Sequence, residues 1–167
     1  MAGVSSESLA AARQQLEAKL PFASLSLAEE LFGILGVLDS SAGVRRALTD
    51  PARESDAKAA LVSQLVGGKV SADAEAIAAN LVSSRWRSPR DLGDALEELA
   101  ATVVSATAEN RGSGLLGLDA LEDDLIRFNR EVASSHELQR AFSEPQASSE
   151  AKIALAEKIV PGASPAA

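Results

Sequence analysis

The chain has 167 residues, of which 46% are hydrophobic and only 3% aromatic. That is enough apolar material for one or two small domains, with a core of Ala, Leu and Val, and Ala and Leu favour helices and close helix contact. A formal net charge of −8 argues against nucleic acid, whose non-specific binding needs Lys and Arg to neutralise phosphates, and against an anionic membrane; a basic or apolar partner suits it better.

The N-terminus, Met1 to Leu9, has no basic region and no apolar stretch of the signal-peptide kind. The first helix is read in "SSESLAAARQQLEAKL". Leu9, Ala12, Leu16 and Leu20 share one stripe, Ser5 or Ser6 can cap it, and Pro21 stops it. The second is expected to begin at Ser26, with Glu29 completing a capping box. Its apolar face is Leu27, Leu31, Ile34, Leu35 and Leu38. A short third helix spans about Ala42 to Leu48. It ends at Asp50–Pro51, because the residue before proline is biased away from helix. The fourth runs from about Arg53 to Val66 with Ala57, Leu61 and Leu65 inward, and Gly67–Gly68 ends it.

Ser71 can cap a fifth helix, which turns Ile77 and Leu81 inward. Ser88–Pro89 opens a long sixth, with Asp91 in its first turn and Leu92, Leu96, Leu99 and Val103 on its buried stripe. "NRGSGLLG" breaks the pattern. Leu118, Leu121, Leu125, Phe128 and Val132 then mark another amphipathic helix. A short helix near His136 to Phe142, the Pro145 turn and a last helix to about Val160 follow. "PGASPAA" has no periodicity and is expected to fray. No stretch reaches the roughly 18 apolar residues that span a bilayer, so direct membrane insertion is not expected and the simplest reading is a soluble, cytoplasmic protein.

One offset links the two halves. "LTDPARESDAK" and "FSEPQASSEAK" stand 94 positions apart. The same offset, without a gap, pairs Leu27 with Leu121, Leu31 with Leu125, Arg46 with Arg140 and Pro51 with Pro145. It also pairs Lys58 with Lys152, Val66 with Val160 and Gly68 with Gly162. Matched Pro, Gly and Lys exceed generic helical periodicity, so this reads as an internal duplication. Ala167 aligns with Asp73, so helices five and six have no partner in the second copy, and the chain is expected to be part of a longer one. The fold class is therefore all-α. A six-helix bundle occupies residues 1–110, an incomplete second copy of three helices 111–160, and a disordered tail 161–167.

Residues that could carry chemistry are few. There is no Cys, and so no disulfide, thiolate nucleophile or cysteine metal site. His136 is the single histidine and stands in a polar stretch; a metal site usually needs several ligands. "GSGLLG" follows a helix, not a strand, and is no dinucleotide fingerprint. "ALEDD" reads as a solvated acidic face. The expectation is no catalytic residue, no metal and no cofactor. Lys58 and Lys152, each early in a helix, oppose the helix dipole. Asp50 and Glu144 lie just across the proline turn, so Lys58 is expected to meet Asp50 or the carbonyls ending the third helix. Trp86, in "SSRWRSPR", has two readings. It is either an interface contact with Arg85 and Arg87, or a plug at the bundle's end with the arginines snorkelling.

The order and spacing of "VRRALTDP", the Lys of "DAKAAL", "LVGGKVS" and "NLVSSRWRSPRDLGDALEEL" resemble the N-terminal domain of the F-type ATP synthase delta subunit. That family includes the oligomycin-sensitivity-conferring protein. The duplication resembles its longer bacterial form. The resemblance implies a non-catalytic stator subunit in the peripheral stalk, on the cytoplasmic face of the plasma membrane. It also implies a groove between the first and fifth helices that takes the N-terminal helices of alpha subunits. In this chain that groove would be lined by Leu9, Ala12, Leu16, Ile77 and Leu81, residues that equally fit a plain core. The family's C-terminal region binds the b subunit and has no counterpart here, so that contact is not expected of this stretch. An incomplete second bundle would expose Leu125, Phe128, Leu155 or Ile159 and promote dimerisation by helix exchange. The alternative is an unrelated helical adaptor.

Overall fold

A computed structural model describes residues 3–111 and 114–167. The glycine-rich break at Gly112 and Ser113, and the first two residues, lie outside that description. The chain is all-α, with no strand among the described residues. Its helices are α1 (Val4–Glu17), α2 (Leu25–Asp39), α3 (Ala42–Thr49), α4 (Ser55–Val66), α5 (Ala72–Ser83), α6 (Pro89–Arg111), α7 (Leu115–Ser134), α8 (His136–Ser143) and α9 (Ser149–Ile159), with a 3-10 turn at Leu20–Phe22. Two compact units divide them, Met1–Thr107 and Ala108–Ala167.

In the first unit α5 packs against α1, α2 and α4. The core is one cluster of Leu, Val, Ala and Ile from all six helices, and Leu31, Ile34, Leu48, Val62, Leu81, Leu96 and Val103 are fully buried in it. Small alanines on α5 (Ala74, Ala78) and α6 (Ala95, Ala100) lie in that cluster, where short side chains allow helix axes to approach closely.

Hydroxyls set the helix starts. Ser41, Ser71 and Ser88 accept from the amides of Val44, Ala74 and Asp91 at 3.3, 3.3 and 3.1 Å, as N-cap side chains do. Two expectations are corrected. The cap of α2 is Ser24, which is extended and accepts from the Leu27 amide at 3.2 Å; Ser26 lies inside the helix. The cap of α1 is Gly3 at φ 63°, and Ser5 turns into the protein instead. Between α4 and α5, a Cβ on Gly67 would lie 2.4 Å from the Ser63 carbonyl oxygen, and Gly68 has φ +72°, so glycine is required at both points.

The phase of α4 also differs from expectation. Its buried line is Lys58, Val62 and Val66; Leu61 and Leu65 are half-buried and Ala57 is exposed. The helix is rotated by about one position because the aliphatic stem of Lys58 covers apolar surface as well as a hydrocarbon side chain would.

The second unit repeats the local geometry of α2–α3–α4 at the 94-residue offset. Ser135 caps α8 through the Leu138 amide at 3.3 Å, as Ser41 caps α3. The Ser40 and Ser134 hydroxyls donate to the carbonyls three residues back, at 2.7 and 2.8 Å. Arg45 donates to the Asp39 carbonyl and Gln139 to the Ala133 carbonyl, so two different side chains close the same helix end. Asp50 accepts from the Ala52 amide at 2.9 Å and Glu144 from the Gln146 amide at 3.2 Å. Gly68 and Gly162 have φ 72° and 74°. Packing is thinner, however. Phe128 and Phe142 meet edge to face at 5.3 Å, while Gly117, Leu121 and Val160 are the buried residues within 114–160. The terminal 161–167 segment forms turns, and its Ser164 amide donates to Asp124 at 2.6 Å.

Candidate functional site

The α1–α5 pair is clamped at both ends. At one end Lys19, just past α1, pairs with Asp73 in the first turn of α5. At the other, Ser8 of α1 donates at 2.6 Å to the carbonyl of Arg85, two residues beyond α5. Two further hydroxyl bonds fix α5 to its other neighbours. Ser71 donates to the Glu30 carboxylate of α2 at 2.5 Å, and Ser55 of α4 to the Ser83 carbonyl at 2.9 Å. Each bond ties up a backbone or capping group at a helix end, where unpaired groups are concentrated.

Between the clamps, all five expected groove residues are buried. Leu9, Ala12, Leu16, Ile77 and Leu81 all lie in the core, none more than 8% exposed. They form the closed seam between α1 and α5, not the floor of an open groove. The physical reason is that α5 packs directly on α1, so an inward stripe has nowhere to go but the core. Helical phase places exposed Ala11 and Gln15 on α1, and exposed Ala76 and Asn80 on α5, beside that seam.

The "RWRSPRD" segment joins this face to α6. Trp86 is buried and its indole N–H donates to the Leu81 carbonyl at 2.7 Å. It plugs the end of α5 and is no exposed contact, whereas Arg85 and Arg87 are exposed. Ser5 organises the rest. Its hydroxyl donates to Asp91 at 2.6 Å and accepts from the Arg87 amide at 3.0 Å. The bond from Ser5 does most to hold the Asp91 carboxyl below its ordinary 3.8; burial opposes this, and Ser88 and Arg87 assist. The sequence reading missed both roles, because Ser5 read as a candidate helix cap and periodicity gives a lone Ser8 no signal.

The hinge residues resolve differently from expectation. Lys58 is buried, but its ammonium makes no ion pair with Asp50 among the described residues. The Asp50 carboxylate is used by its own turn, through the Ala52 amide. Pro51 and Pro145 follow the extended C-caps Asp50 and Glu144, and Lys152 is half-buried on α9. A cleft of about 680 Å³ between α2, α3 and the start of α6 is lined by Arg45, Arg46 and Arg90, balanced by Asp39, Asp94 and Glu97. His136 is exposed at the start of α8. No group of three metal-ligating side chains occurs among the described residues, and no helix among them is long and apolar enough to cross a membrane.

Clamped helix ends, a sealed aliphatic seam and a turn geometry used twice define a helical scaffold whose outer surfaces are available for packing. No protein-family model matches the chain. It is 69% identical over 168 residues to the ATP synthase subunit delta of Pseudarthrobacter chlorophenolicus and 70% to that of an Arthrobacter species, in each case across 98% of this chain and 61% of the relative. The delta subunit of Renibacterium salmoninarum is 60% identical, across 98% and 60%. Over nearly its whole length the chain is therefore similar to delta subunits of the ATP synthase. It spans about three-fifths of the length of these relatives.

Proposed function

We propose that this chain serves as a non-catalytic stator element in the peripheral stalk of an ATP synthase, at the cytoplasmic face of the plasma membrane. Its first unit would take an N-terminal helix of an alpha subunit along the α1–α5 surface. The observation that carries this reading is the identity of about 70% with ATP synthase delta subunits across nearly the whole chain. The clamped α5 supports it, because a surface that must hold another helix under load benefits from a rigid backbone beneath it.

The buried seam changes which residues would meet the partner. Leu9, Ala12, Leu16, Ile77 and Leu81 would set the spacing of α1 and α5, and contact would fall on the exposed small and polar residues beside them, Ala11, Gln15, Ala76 and Asn80. An amphipathic helix laid there is recognised through residues at i, i+3, i+4 and i+7. Arg85 and Arg87 stand at one end of the same surface. Contact with the b subunit is not assigned to these residues. We further propose that residues 108–167 are a second, partial copy of the α2–α4 part of a six-helix bundle, a reading supported by caps and turns that recur at one offset.

Calorimetric titration with a synthetic alpha-subunit N-terminal peptide tests the assignment. Wild type should bind, and Ala11→Arg with Ala76→Arg should weaken binding at least about tenfold with unchanged melting, since both positions are exposed. No binding by the wild type would remove the reading.

A further inference from the structure

We propose that the outer face of α2 is a docking strip for an amphipathic helix of another protein, one with large apolar side chains on its stripe and a Lys or Arg beside them. The strip uses a different helix from the α1–α5 surface and does not rest on that assignment. α2 is apolar on both sides. Its inner side, with Leu27, Ala28, Leu31, Ile34 and Leu38, is buried in the core. Its outer side carries Phe32 and Val37, 42% and 38% exposed, with Gly33 and Gly36 exposed between them. Helical phase makes the two glycines the floor of a shallow trough and Phe32 and Val37 its walls. A helix that is apolar all round is normally a buried one, yet this side of α2 is open among the described residues.

The glycines have no purpose inside the chain. A glycine in a helix interior is destabilising relative to alanine. Neither Gly33 nor Gly36 has a positive φ, and a Cβ on either would meet nothing within 4 Å. A helix in this position does not demand them either. At the 94-residue offset Gly33, Gly36 and Val37 become Arg127, Arg130 and Glu131, all exposed on α7. What glycine does supply is a place where a second helix can come close and fill the trough with its own side chains. Charge narrows the partner. α2 contains Glu29, Glu30 and Asp39 and no Lys or Arg. Glu30 accepts from Ser71, and Asp39 pairs with Arg45. Glu29 is exposed, lies one turn before Gly33 in line with the trough, and makes no ion pair among the described residues. A cation on the partner would meet it there and fix the register. A second copy of the chain fits poorly, because antiparallel pairing of two α2 helices about the glycines sets Glu30 against Asp39 and offers Glu29 no cation. The same carboxylates would be repelled by an anionic membrane.

Amide chemical shifts of the full 167-residue chain, recorded on titration with a synthetic helical peptide of about 15 residues, test the assignment. The peptide carries leucines at i, i+3, i+4 and i+7 and lysines elsewhere, and a control carries glutamates in place of the lysines. Shifts should concentrate in residues 25–40, and the glutamate peptide should bind at least about tenfold more weakly. The most telling variant is Gly33→Ala with Gly36→Ala. It should raise the melting temperature, because alanine is the better helix former and has open space at both points. It should nonetheless weaken binding of the lysine peptide by about fivefold or more, because the trough is filled. Glu29→Gln should bring the two peptides closer in affinity. Ala11→Arg with Ala76→Arg should leave this titration unchanged, so that failure here and failure at the α1–α5 surface are told apart. The proposal is overturned if the shifts spread over the acidic surface or fall on other helices, or if the double alanine variant binds as the wild type does. It is overturned too if that variant melts lower, which would give the glycines a role inside the bundle. Shifts in residues 25–40 on dilution of the protein alone would also overturn it, by making a second copy of the chain the occupant.

Discussion

Leu31 and Leu125 stand at corresponding points of the two units, both on the helix that precedes a serine-capped short helix and a proline turn. The first is fully buried and the second half exposed. Around them the local structure agrees in detail, including the caps, the side chains closing the helix ends and the turn at Asp50 or Glu144. The contrast separates two kinds of determinant. Caps and turns are satisfied within about ten residues and persist wherever the sequence places them. Burial depends on helices elsewhere in the chain, and among the described residues α1 and α5 supply it to the first unit. In the second unit the aromatic contact is the Phe128–Phe142 pair.

The largest expected effect tests this contrast directly. Leu31→Ala should cost about 2–5 kcal/mol, the range for truncating a buried leucine, whereas Leu125→Ala should cost about 1 kcal/mol or less. Chemical denaturation of both variants checks this; equal losses would mean that the second face is covered in solution. An intermediate effect is expected at Ser5. Removing its hydroxyl in Ser5→Ala leaves the Arg87 amide and Asp91 without their partner, at a cost of about 1–3 kcal/mol. Asp91 should then titrate closer to 3.8, as followed by carboxyl NMR. The sign is fixed by linkage. The folded carboxyl lies below its unfolded value, so its contribution is complete above the unfolded value and fades as the pH falls through the folded one. Asp91→Asn should therefore flatten the acid limb of stability below about pH 4. The smallest effect belongs to Lys58→Met. Without an ion pair to Asp50, replacing its buried stem by another flexible apolar chain should shift stability by less than about 1 kcal/mol. A much larger loss in thermal melting would mean that the Lys58 ammonium has a stabilising partner, as at Asp50 or the carbonyls ending α3.

Much of the fold was legible in the sequence because it is local. Ser41, Ser71 and Ser88 announce their helices, Pro51 and Pro145 their breaks, and the 94-residue offset carries these signals into the second unit. Three features were not legible. Ser24 and Ser26 are equivalent by composition, and the chain's entry into α2 decides between them. Lys58 looks polar to any periodicity count, although most of its atoms are hydrocarbon. In the candidate groove α1 and α5 are neighbours, but depth within a helix pair is a tertiary quantity. The same heptad-like stripe serves a seam or an open groove, and only the position of α5 distinguishes them. Trp86 shows the same limit, since an aromatic between arginines looks exposed until its indole finds the Leu81 carbonyl.

The Ser5 contacts have a mechanical consequence. Ser5 and Ser8 lie one turn apart on α1 and grip the backbone of residues 85 and 87 and the first turn of α6. Tension applied at the beginning of α1 would thus be delivered within a few ångströms to the root of a 23-residue helix, bypassing the four helices between them in sequence. In that sense the first unit is cross-braced, and its two outermost helices respond to a pull as a single strut.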